Sequence, residues 1–348
     1  MQIHRIILFS ISCSFFMLTA FYVKKENKIL THEKLSDYGF FKGKLADLAP
    51  NEGVMPYQLN TPLFSDYAEK LRFVSLPKGS TAVYQPTETF DFPEGTVLIK
   101  NFYYSNDFRD KSKGRRIIET RLLILQNNTW EALPYIWNDE QTEAYLDVAG
   151  DTKEIVWKDE NGKKQALAYA IPNVNQCKSC HLKSEKMTPI GLVARQLNGN
   201  FQYAEGTANQ LTQWEKAGIL SGLPSLSQVE KVPTWADASA DIDSRARAWL
   251  DINCAFCHNP KGAASTSGLF LSYHEKNKTA LGIFKTPVAA GKGSGNRQFS
   301  IVPQQPEKSI LVYRIESTDP AAMMPEIGRK TVHKEGVALI KEWIKTMK

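Results

Sequence analysis

The sequence predicts a multidomain α+β fold: an N-terminal antiparallel β domain, sandwich or barrel-like, then a small helical module and an all-α C-terminal domain. Three observations lead there. Between about Tyr57 and Ile171 the chain has the texture of strands interrupted by turn residues. Two Cys-x-x-Cys-His motifs, Cys177–His181 and Cys254–His258, divide the helical remainder. The chain closes on an amphipathic segment in which Val337, Ile340 and Ile344 recur at helical spacing, with Leu339 and Trp343 beside them. The expected boundaries are 36–172, 173–232 and 234–348, after a leader over 1–25. A chain of 348 residues is long enough for such a division.

The leader comes first. His4 and Arg5 precede an apolar run from Ile6 to Val23, closed by Lys24-Lys25-Glu26. This reads as a signal peptide or, through residues 6–23, a membrane anchor at the lower limit of spanning length. Cys13 follows Ser10-Ile11-Ser12 and weakly resembles a lipid-acceptor site, but Ser-Phe-Phe-Met after it is apolar for a mature start. Either way the body of the chain is expected outside the cytoplasm, in a periplasmic or other extracytoplasmic compartment.

Leu35 to Leu48 has helical apolar spacing, weakened by Gly39 and Gly43 and ended before Pro50. Strands are expected at 72–76, 96–103, 117–125 and 130–137, with Asn127-Asn128 turning the last pair. Asn161-Gly162 turns another hairpin, between 155–157 and 166–169. Arg115, Arg116, Glu119 and Arg121 read as the solvated face of an alternating strand more readily than as a binding surface, and Trp130, Trp137 and Trp157 as core. Helices are expected at 190–197 and 208–220, and Ala246, Trp249 and Leu250 share an apolar face leading into Cys254. Gly291-Lys292-Gly293-Ser294-Gly295 lacks the earlier glycine of a phosphate loop, since Thr286 stands there, and reads as a flexible loop.

The paired motifs carry the chemistry. Two cysteines three apart with a histidine directly after the second form the attachment pattern of a c-type haem. On a helical turn, positions i, i+3 and i+4 share one face. Cys177 with Cys180, and Cys254 with Cys257, can therefore each form two thioethers to one porphyrin edge, while His181 and His258 reach the two irons. The alternatives are a four-cysteine zinc site, disulfides or a thioredoxin-like redox pair. None of them needs a histidine after both pairs. Covalent haem attachment in bacteria is an extracytoplasmic process, which agrees with the leader independently.

A second axial ligand for the C-terminal haem is offered by Met324, directly before Pro325 and 66 residues after His258. This resembles class I cytochromes c, and the stretch 234–348 has the layout of a small cytochrome. Met323 is the neighbouring alternative. The N-terminal haem has no comparable partner. Met187 lies only six residues past His181, and His32, His274 or His333 would have to come from elsewhere in the chain. An open iron there would permit peroxide or oxygen chemistry.

Several segments resemble a family of exported bacterial dihaem c-type cytochromes of uncharacterised function: Leu59-Asn60-Thr61-Pro62-Leu63-Phe64-Ser65-Asp66, Phe92-Pro93-Glu94-Gly95-Thr96, Glu119-Thr120-Arg121 and Pro172-Asn173-Val174-Asn175-Gln176-Cys177. Arg195-Gln196-Leu197-Asn198, the stretch from Arg245 to His258 and that from Met324 to Ile344 fit the same group. The resemblance covers nearly everything after residue 35 and implies two covalent haems. A similar segment is fused to some quinoprotein sugar dehydrogenases, which implies a redox protein partner, a dehydrogenase or other donor or acceptor.

The formal charge of +6 invites a nucleic-acid reading that does not hold. Arg5, Lys24 and Lys25 belong to the leader, which leaves +3, and four haem propionates would bring the total to about −1. No Lys/Arg cluster interleaved with aromatics appears. The expectation is a periplasmic dihaem electron carrier. The rivals are a dihaem peroxidase-like enzyme with an open iron at His181 and a haem-containing binding or sensor protein.

Overall fold

The computed structural model describes residues 31–348. The leader, its anchor or signal role and Cys13 lie outside the described residues. Six strands form the largest assembly: β1 Val54–Tyr57, β2 Glu69–Ser75, β3 Val97–Ser105, β4 Arg115–Gln126, β5 Thr129–Trp137 and β6 Ala144–Leu146. Each pairs antiparallel with the next, so the sheet is an open meander. The tight turn between β4 and β5 uses Asn127 and Asn128, both left-handed (φ +52° and +56°), as a two-residue hairpin with right-handed twist requires. A separate hairpin, β7 Asp151–Lys158 with β8 Lys164–Ile171, packs Ile155, Trp157 and Tyr169 against Phe102 and Tyr104 of the sheet.

Period-two alternation gives the sheet two apolar faces. Phe73, Ile99, Leu122 and Ile124 point to one, where Leu35, Phe40 and Leu48 cover them. Val74 and Leu98 point to the other and share a core with Leu192, Leu197, Leu211 and Trp214 from the segment after the first motif. A short parallel pair, Ala82–Val83 with Leu220–Ser221, ties the two segments further.

The remaining helices are α1 Val174–His181, α2 Ala194–Leu197, α3 Gln210–Lys216, α4 Ile242–Asn253, α5 Lys278–Leu281, α6 Ile310–Glu316 and α7 Lys334–Thr346. Helix α4 starts on an Asp241 cap that accepts from the Ser244 amide. Its Ala246, Trp249 and Leu250 pack with Ile315 of α6 and with Val337, Ile340 and Ile344 of α7. Gly336 lets α7 approach closely, because a Cβ there would fall 2.4 Å from the Trp249 indole nitrogen.

The expected fold class is corrected by this architecture. Residues 234–348 are not an all-α cytochrome c-like domain. Only α4 and α7 exceed two turns there, and long loops with 3-10 turns separate them. Left-handed Gly268, Gly282 and Gly295 (φ +59°, +109° and +54°) stop the short helices between. The β region is antiparallel, but it does not close into a barrel: the meander has two free ends, and its second face is covered by the two-stranded hairpin β7–β8 over part of its length and by the segment after the first motif over the rest. The module after residue 173 is not purely helical. Gly191 (φ +80°) confines the helix expected from 190 to α2, and part of the 208–220 stretch is the hairpin Asn200–Tyr203/Gly206–Asn209. The helix expected over 35–48 breaks into two 3-10 turns because Gly39 and Gly43 take left-handed conformations.

Candidate functional site

Helix α1 carries the first motif. Asn173 caps it in a reciprocal box with Gln176, which fixes the turn on which Cys177, Cys180 and His181 sit. The hairpin Leu182–Lys183/Lys186–Met187 then returns the chain so that Thr188 O lies 2.8 Å from His181 Nδ1. A carbonyl only accepts, so Nδ1 holds the proton and Nε2 keeps its lone pair. Burial pushes the imidazole pKa down to about 4. The ring is therefore neutral and held in the tautomer a metal ligand needs.

The second motif continues α4 by one turn, with the His258 amide donating to Cys254 O at 2.9 Å. His258 Nδ1 faces Leu269 O at 3.3 Å, which selects the same tautomer, and burial lowers its pKa too. A cavity of about 460 Å³ opens beside it, walled by Cys254, Cys257, His258, Leu271, Ile315 and Met324.

The four motif cysteines are free thiols. Burial raises every one of their pKa values, Cys180 and Cys254 to about 12, with Cys257 adding to the rise at Cys180. A redox Cys-x-x-Cys pair needs the opposite shift. Among the described residues no three His, Cys, Asp or Glu side chains are grouped to hold a bare metal ion, so the four-cysteine zinc arrangement is not assembled. The two motifs nevertheless meet: Ser179 and Cys180 share the large cavity with Cys254 and Cys257, and Ser184 N donates to Lys261 O at 2.9 Å.

Around His181 three smaller hollows open, of about 90, 70 and 360 Å³. Met324 lines the first of these as well as the large cavity, so it stands between the motifs, whereas Met323 is buried and lines neither. The Met324 loop is clamped by buried Arg329, whose guanidinium donates to Met324 O (2.8 and 3.0 Å), Ser317 O (2.8 Å) and Arg314 O (3.1 Å). Met187 packs against the shared core instead.

The three histidines considered for His181's iron separate clearly. His32 sets its ring edge-on against Tyr38 in the N-terminal segment. His274 is half-exposed on the 360 Å³ hollow and bonded to Glu230 at 2.8 Å. His333 is brought to the 90 Å³ hollow, stacked on Phe64, but its Nδ1 accepts from Trp249 Nε1 at 2.9 Å. An indole only donates, so the proton of neutral His333 is on Nε2, the wrong tautomer for ligation through that atom.

Two groups of residues have roles that the sequence did not assign to them. The stretch 59–66 is a junction: Asn60 Nδ2 donates to the carbonyls of Arg195, Asn198 and Val232, Asn253 Oδ1 accepts from Phe64 N, and buried Asp66 accepts from Lys330 N, Thr331 N and Thr331 Oγ1. The other group is a row of cations. In register across β2, β3 and β4, Arg72 faces Lys100 and Lys100 faces Arg121. The row walls the hollow that also holds Cys177 and His181. Beside it, Glu119 is fully buried and not on a solvated face. It is bonded twice by Arg121 (2.5 and 2.7 Å) and once by Tyr169 (2.7 Å). Arg115 and Arg116 do lie outward, on the Ala46 and Asp47 carbonyls and on Asp139.

Compared with known proteins, the chain matches no protein-family model, no curated protein and no solved structure.

Proposed function

We propose that this chain is an exported electron-transfer protein carrying two covalently attached c-type haems, at Cys177/Cys180/His181 and Cys254/Cys257/His258. One observation carries the reading. Both histidines that follow the cysteine pairs donate through Nδ1 to a backbone carbonyl and leave Nε2 free, while His333, which belongs to no motif, has the opposite tautomer. Unpaired, protonated thiols beside them fit thioether formation and fit redox-active pairs poorly.

When bound, haem iron supplies one-electron chemistry whose potential is set by ligands, burial and nearby charge. The chain's own residues do the rest. Thr188 and Leu269 orient the two imidazoles, and Arg329 holds the loop that presents Met324. Met324 would be the second protein ligand to the iron held by His258, supported by their common 460 Å³ cavity. The meeting of the motifs at Cys180 and Cys257 suits transfer from one centre to the other. A dehydrogenase or another redox protein is the partner this function calls for.

The test is the mass of the denatured protein after expression with a haem-maturation system. Two haems should remain attached. Release of the haem on denaturation, or zinc in its place, would overturn the reading.

A further inference from the structure

The cationic row across β2, β3 and β4 has no internal explanation. Like charges directly opposite on neighbouring strands are destabilising, and here three stand in succession: Arg72, Lys100 and Arg121. Lys70, two residues before Arg72, stands on the same face. The same face offers one carboxylate within the sheet, Glu119, already bonded by Arg121 and Tyr169. Arg72 is 6% exposed, and its Nη2 has no hydrogen-bond partner. Lys100 sits at the cavity wall with only the Phe102 ring beneath its ammonium, 4.8 Å from the centroid. Burial, then the neighbouring cations, depress the Lys100 pKa well below the usual lysine range, and Lys70 is lowered to about 7. Such a face is poised for an anion that the polypeptide does not provide.

We propose that the Arg72–Lys100–Arg121 row is a carboxylate receptor, and that the carboxylates it holds are the propionates of the haem carried by Cys177, Cys180 and His181. The proposal rests on the dihaem reading above. Its geometric basis is the hollow lined at once by Arg72, Lys100, Arg121, Cys177 and His181. A porphyrin bonded to that cysteine and that histidine would carry its two carboxylates on the ring edge away from the thioethers, and the row would hold them across the ring from Cys177. Planar guanidinium groups at Arg72 and Arg121 suit carboxylates, and a buried cation left without an anion is costly. The role also explains why the sheet meets this motif through charged positions, while a few residues along the same strands Val74 and Leu98 meet the neighbouring segment through apolar ones.

The experiment uses the mature dihaem protein and its Arg72→Met, Lys100→Met and Lys100→Arg variants. Haem mass is measured first, then the two reduction potentials by optical titration. The His181 centre is the component that Met324→Ala leaves in place. Removing a cation beside an iron centre disfavours its reduced state, so Arg72→Met and Lys100→Met should each lower that one potential. Lys100→Arg should keep it near the wild-type value, and the His258 potential should not move. Unchanged potentials in both methionine variants, or a Lys100→Arg shift equal to that of Lys100→Met, would overturn the proposal while leaving the dihaem reading intact. Absence of haem at the first motif would overturn both. A wild-type potential that shifts saturably with added succinate would assign the row to a free acid instead. If Arg72→Met does not fold, the Lys100 pair carries the test, since that side chain makes no hydrogen bond or ion pair among the described residues.

Discussion

Replacing Arg329 by methionine should loosen the Met324 loop without preventing haem attachment. The guanidinium is 6% exposed and donates to four carbonyls: those of Arg314, Ser317, Met324 and Thr331. Hydrogen bonds from charged donors contribute about 1.5–3 kcal/mol each. They are not additive here, because Nη2 alone serves three of the acceptors and water can reach part of the exposed loop. A net loss of about 3–5 kcal/mol in unfolding free energy follows, a large share of the 5–15 kcal/mol typical of a folded domain. Arg329→Lys keeps the charge but not the fork, so it should fall between. Urea unfolding measures the stability. The weak sulfur–iron absorption at the red end of the oxidised spectrum measures the loop, and it should weaken in Arg329→Met although the haem count stays at two. A loss under about 1 kcal/mol, or an intact band in a variant that is destabilised, would refute the clamp as the device that presents Met324.

Further outcomes can be checked singly. Met324→Ala should abolish the sulfur–iron band and lower one reduction potential, whereas Met323→Ala, whose side chain lines neither cavity, should cost stability only. Carbon monoxide added to the reduced protein should bind about one haem per chain, at the His181 iron, as a titration of the Soret band would show, because His333 nearby is held in the non-ligating tautomer. Binding at neither iron would reveal a sixth ligand. His333 is buried and its pKa is lowered to about 4, so folding favours its neutral form. Its contribution is fully present above the unfolded pKa of about 6.5 and is lost as pH falls from there through about 4. That amounts to about 3 kcal/mol. His333→Gln, whose amide oxygen can still accept from Trp249, should flatten that part of the urea stability profile. Glu119→Gln strips the single carboxylate from the cationic face and leaves Arg121 without its ion pair, a change expected to cost about 3–5 kcal/mol by chemical denaturation.

What could be read from the sequence was what is written locally. The Cys-x-x-Cys-His spacing sits on a helical turn in both places, because a motif of five residues contains its own geometry. The strands expected at 117–125 and 130–137 run as Arg115–Gln126 and Thr129–Trp137, since their apolar runs and the Asn-Asn turn are properties of contiguous residues. Helix expectations failed where glycine intervened. Apolar spacing over 35–48 looked helical, yet Gly39 and Gly43 adopt left-handed angles that end each turn, so the same leucines reach the sheet from 3-10 turns and loop instead.

Arg72, Lys100 and Arg121 illustrate the other limit. They are separated along the chain by 28 and 21 residues, and each alone looks like an ordinary polar position in an alternating strand. Only strand register makes them neighbours, and a slip of one residue in β3 would send Lys100 to the opposite face. Glu119 shows the same effect with the sign reversed. Read locally it belongs with Arg115 and Arg116 on solvent, but β4 carries an extra residue, Ile118, opposite the Phe102–Tyr103 step of β3, and this register shift falls between these positions. The arginines end outside, and the glutamate is sealed behind Tyr169 from the separate hairpin. The charge that matters to the His181 site is therefore created by pairing and not by composition. A whole-chain charge of +6 says nothing about it, since a local surplus of cations around one hollow is compatible with any total.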